Sequence, residues 1–149
     1  MNGRRIAVVS TVVAVLPGLT SAWGCTRSYS SVLKANRGFS LPSGCPEIYE
    51  KDSGISFNGD GLRYHVFAYR EEQPVNEMFE WSDQEDRTIF YSSYREAVSE
   101  WLNDIGVPSE EYPDGTGYRY WYASHGDFSE IIVLLHEEMK RIYIVESFL

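Results

Sequence analysis

Several things are scarce in this chain, and each scarcity excludes something. Only 2 cysteines, Cys25 and Cys45, occur in 149 residues, too few for a disulfide-dense secreted scaffold or a four-cysteine zinc module. The 3 histidines, His65, His125 and His136, show neither the i, i+4 helical spacing nor the H-E-x-x-H order of a zinc site. Basic residues number 13 against 22 acidic ones. Nucleic acid and anionic lipid headgroups are poor partners for such a surface, and a cation or a basic protein is an easier one. Phosphate loops, glycine-rich nucleotide fingerprints and G-x-S-x-G nucleophile motifs are absent, as are internal repeats and low-complexity tracts. The apolar run from Ile6 to Leu16 falls short of the roughly 20 residues that span a bilayer.

That run is the first informative feature. Arg4 and Arg5 precede it, Pro17-Gly18 breaks it, and Thr20-Ser21-Ala22 follow with small side chains. This three-part layout over residues 1–22 is that of a secretory signal, with a mature start at Trp23. Its removal takes the net charge from -9 to -11, because two arginines leave and no acid does. Ala22-Trp23-Gly24-Cys25 also resembles the lipobox of bacterial lipoproteins, through Gly24 and Cys25. That resemblance implies cleavage after residue 24, a lipid on Cys25 and retention at the cell envelope. If Cys25 instead keeps its thiol, Cys45 is its available partner, and the bridge closes a loop of about 20 residues worth roughly 3 kcal/mol. Spacing does not choose between these fates.

Residues 23–46, rich in Ser, Gly and Arg, read as a tether with one helical turn, and residues 47–149 as a single α+β domain. Leu62 to Arg70 alternates with the period of a strand, Leu62, Tyr64, Val66 and Ala68 to one side, Arg63, His65, Phe67 and Tyr69 to the other. Tyr94 to Ile105 has helical spacing, a Ser93/Glu96 capping box and a Gly106/Pro108 stop. Tyr118–Ser124, Glu130–His136 and Arg141–Ser147 read as three strands, joined by a II′ turn at Gly126-Asp127 and a four-residue turn at Glu137–Lys140. The expected fold is therefore an antiparallel sheet of about four strands, β-α-β-β-β, with one helix on one face. Ile131, Val133, Leu135, Ile142 and Ile144 are expected to meet that helix, leaving the face of Ile132, Leu134, Tyr143 and Val145 half covered.

Asp52, Asn58 and Asp60, among glycines, offer hard oxygens for a weakly held calcium ion, without the spacing of an EF-hand. The competing reading is a Gly-rich turn feeding the first strand. The same stretch, a Lys51-Asp52-x-Gly54 run before Phe57-x-Gly59-Asp60-Gly61, resembles a segment of small exported bacterial proteins, often Gram-positive, and implies no activity. No other cofactor or metal is expected. Tyr120 and Trp121, in an aromatic strand, are suited either to packing or to gripping a sugar or peptide. Glu77, Glu80, Asp83, Glu85 and Asp86 surround Met78, Phe79 and Trp81, suiting a basic partner or a solvated loop. The leading expectation is an exported, non-enzymatic binding domain, with or without a lipid anchor, that contacts a protein or envelope component through its half-covered sheet face or acidic segment. The alternatives are a small hydrolase using Asp52, Asp60 and His65, and a purely structural envelope protein.

Overall fold

The computed structural model describes residues 28–54, 59–82, 95–113 and 117–148. They form α1 (Tyr29–Arg37), β1 (Glu47–Asp52), β2 (Gly61–Ala68), a short α2 (Glu72–Asn76), α3 (Arg95–Asp104), a 3-10 turn (Ser109–Glu111), β3 (Tyr118–Ser124), β4 (Glu130–His136) and β5 (Arg141–Phe148). The signal segment with Cys25, Asn58, the acids Asp83, Glu85 and Asp86, and the capping residue Ser93 lie outside the described residues. Among those described, no helix is long and apolar enough to cross a membrane.

The strands make one antiparallel sheet, ordered β1-β2-β5-β4-β3. The α+β class and the three C-terminal strands agree with the periodicity of the sequence. The sheet has five strands rather than about four, because β1, with burial pattern eeieee, is a charged edge strand without the apolar alternation by which strands are recognised. Between β5 and β3, β4 carries the unbroken run Ile131-Ile132-Val133-Leu134-Leu135, all at most 1% exposed. A strand that is apolar on both sides needs cover on both sides.

Helices on opposite faces supply that cover. On one face α1 contributes Tyr29 and Leu33, an i, i+4 pair, to a core with Phe67, Ile131, Val133, Leu135, Ile142 and Ile144. On the other, Val98 and Leu102 of α3 pack on Tyr64, Val66, Ile132, Leu134, Tyr143 and Val145. Two expectations are thereby corrected. The helix at 95–104 lies on the face opposite the one assigned to it, and the residues expected on a half-covered face are buried: Ile132, Leu134, Tyr143 and Val145 are at most 2% exposed. Both faces of β4 and β5 are equally apolar, so the strands alone do not say which helix lies where. Within the segment expected as a tether, α1 is a core element that covers the second face.

Chain termini of the helices follow local chemistry. Lys34 and Arg37 sit in the last turn of α1, where positive charge suits the helix dipole, and Gly38 ends it at φ 79. After α3, the Gly106 N–H donates to the Asn103 carbonyl and the Val107 N–H to that of Leu102, both at 2.9 Å. This is a Schellman ending, with Val107 and Leu102 packed in the same core. The β3–β4 hairpin is not the expected II′ turn. The Phe128 N–H donates to the His125 carbonyl and the His125 N–H to that of Ser129, which places Phe128, at φ 65, in the left-handed position of a three-residue loop.

Candidate functional site

Strand β1 is the source of the site, through an irregularity. Glu47 pairs with Phe67 and Tyr49 with Val66, so Ile48 is an extra residue, a β-bulge, and regular pairing resumes with Glu50 opposite His65 and Asp52 opposite Arg63. In an unbroken strand Glu47 and Glu50, three residues apart, point to opposite faces. The bulge cancels one step of the alternation and puts both carboxylates on the α1 face, beside His65.

The result is a groove of about 620 Å³ lined by Ser28, Tyr29, Val32, Glu47, Glu50, Asp52, Arg63 and His65. Glu47, Glu50 and His65 each bring a potential ligand atom within 4.8 Å of the others, and this is the metal-compatible grouping among the described residues. The His65 Nδ1 lies 2.5 Å from Glu47 Oε1. A carboxylate only accepts, so Nδ1 carries the shared proton, and in the neutral ring Nε2 is left as an acceptor. Nε2 is buried and has no hydrogen-bond partner among the described residues. An unmet buried polar atom costs about 1–3 kcal/mol and marks a place where an ion, water or ligand is called for.

His65, 6% exposed, is held in place by a second cluster. Its ring stacks on Tyr29 with centroids 3.4 Å apart, and Tyr29 is anchored in turn by Glu146 of β5, itself 3% exposed. The Tyr29 hydroxyl donates to Glu146 Oε2, while Arg37 Nε donates to Oε1 at 3.0 Å. A further contact of 2.9 Å joins Arg37 Nη1 to His125 Nδ1. Burial, reinforced by the neighbouring Glu146 charge and the bond to it, pushes the Tyr29 hydroxyl far above the usual tyrosine range. Both ends of α1 are therefore tied to one carboxylate in the centre of the sheet, and the helix forms a fixed wall of the groove.

The described residues among those singled out from sequence line different parts of the fold. Asp52 shares the groove with His65, but its Oδ1 accepts the Gly54 N–H at 2.6 Å and its Oδ2 the Arg63 Nε–H at 2.8 Å. Asp60 lines a different cavity, with Leu62, Trp101 and Ile105. Tyr120 packs on the α3 face and its N–H donates to Ser82 Oγ. Trp121 packs on the α1 face, stacked on Phe79 at 4.2 Å. Cys45 is a half-buried free thiol, and burial raises its pKa. Glu47, Glu50, Tyr29, Arg37 and Glu146 carry no sequence signal as a group. The bulge leaves no motif, and the register joins residues far apart in the chain. Comparison with models of known families, with curated proteins and with solved structures finds no match.

Proposed function

We propose that the chain is an exported, non-enzymatic binding domain whose recognition surface is the groove between α1 and the β1–β2 edge, and that its ligand carries positive charge. The observation that supports this most directly is the convergence of Glu47 and Glu50 on His65, whose buried Nε2 lacks a partner among the described residues. The net charge of -9 adds a long-range field that draws cationic groups, a basic segment of an envelope protein among them. With both sheet faces covered, the groove replaces the sheet face as the contact surface.

A carboxylate hydrolase on Asp52, Asp60 and His65 is less well supported, because both Asp52 oxygens are engaged by Gly54 and Arg63 and Asp60 lines another cavity. The test is a titration of the ¹⁵N-labelled mature protein with a hexa-arginine peptide, CaCl₂ and ZnCl₂ in turn. Saturable shifts at Glu47, Glu50 and His65 with at least one probe, lost in Glu47→Gln/Glu50→Gln, are expected. Absence of saturation with all three, or shifts that survive the double substitution, would sink the reading.

A further inference from the structure

Resting on that reading of the groove, we infer that its ligand is a divalent d-block metal ion, held by Glu47, Glu50 and a ring nitrogen of His65. Three features carry the inference together. The donor set is mixed: two carboxylates and one imidazole lie within 4.8 Å of one another. Calcium and magnesium take oxygen ligands, whereas imidazole suits zinc, copper, iron and nickel. The imidazole is also placed to ligate. Its Nε2 is buried without a partner among the described residues, while its Nδ1 is hydrogen-bonded to Glu47. Coordination needs a ring nitrogen with a free lone pair, and with Nδ1 donating to Glu47 the neutral ring offers Nε2.

The third feature is rigidity. Metal sites need donors held in place before the ion arrives, supported by a surrounding shell. His65 is clamped between its strand and the Tyr29 ring, and Tyr29 is fixed through Glu146. Glu47 and Glu50 are exposed, so the ion has a path in, and three protein donors leave a coordination position open. Such an open position is where a site in this class accepts water or a group from a partner. A metal here also neutralises much of the local negative charge of the groove.

The experiment uses the mature protein purified without a histidine tag. ZnCl₂ is titrated by calorimetry and CoCl₂ by visible absorption, and the hexa-arginine peptide is run alongside. One equivalent of each metal is expected, with Co²⁺ d–d bands, and Glu47→Gln or Glu50→Gln weakens zinc binding by at least about tenfold. Because Glu50 is exposed, Glu50→Gln keeps the test informative if other variants unfold. Equal zinc affinity in wild type and both variants, or no binding of either metal, overturns the inference. If hexa-arginine or CaCl₂ binds and zinc and cobalt do not, the d-block metal is wrong and the cationic groove stands; if none of them binds, both fall.

Discussion

Substituting Glu146 is expected to cost this domain more than any exposed ion pair, and the structure supplies the reason. Its two oxygens serve the Tyr29 hydroxyl and Arg37 Nε, and the Arg37 and Glu146 side chains are 6% and 4% exposed. Glu146→Ala leaves two buried donors unmet, one of them charged, which costs about 3–5 kcal/mol. Against a total stability of about 5–15 kcal/mol, that lowers Tm by more than about 10 °C. The control is Arg119→Ala, which breaks the pair with Glu137 whose side chains are 26% and 46% exposed, for about 0–1 kcal/mol. Urea titrations followed by tryptophan fluorescence measure both. A double-mutant cycle with Arg37→Met and Glu146→Leu separates the pair from its surroundings, and the double variant is expected to recover most of the single-variant loss, because a buried pair exchanged for apolar groups is often neutral. If Glu146→Ala costs no more than Arg119→Ala, α1 is not anchored through Glu146 and the account of the groove wall is refuted.

Four further outcomes follow from particular residues. Leu33 is 0% exposed in the core, so Leu33→Ala is expected to destabilise by about 2–5 kcal/mol; a change near zero in urea would restore the tether reading of residues 23–46. Deleting Ile48, 47% exposed, removes the bulge and turns Glu47 to the α3 face, so circular dichroism should stay native while the His65 side-chain shifts move and zinc affinity falls. A Glu47 that still perturbs His65 after the deletion contradicts the register argument. Burial raises the hydroxyl pKa of both Tyr29 and Tyr64 above the ordinary 10.0. Their contribution is therefore complete below pH 10.0 and is lost as pH rises beyond it, at about 1.4 kcal/mol per pH unit for each tyrosine; denaturation curves that are flat from pH 9 to 12 would disprove it. Phe128 is 77% exposed at φ 65, and Phe128→Gly is expected to stabilise by about 1 kcal/mol through relief of the left-handed backbone, a gain that a lower urea midpoint would deny.

Local chemistry reached the sequence surface where it is written in neighbouring residues. The alternation of β2, the Gly106/Pro108 stop of α3, the four-residue Glu137–Lys140 turn and the registers of β4 with β5 all depend on spacings of a few residues, and periodicity exposes them. Strand β1 and helix α1 escaped for opposite reasons. The first is charged because it is an edge, and the second is short and polar outside Tyr29, Val32 and Leu33, so each looks like a loop when its partners are unseen.

By itself, then, the sequence determined the acidic balance, the α+β class and most element boundaries, since these are set by composition and by side chains close along the chain. Tertiary structure alone decided which helix covers which face, because β4 and β5 are apolar on both. It alone assembled the groove as well. Glu47 and Glu50 meet His65 only after β1 has paired with β2, and only because one extra residue, Ile48, shifts the register by a single step.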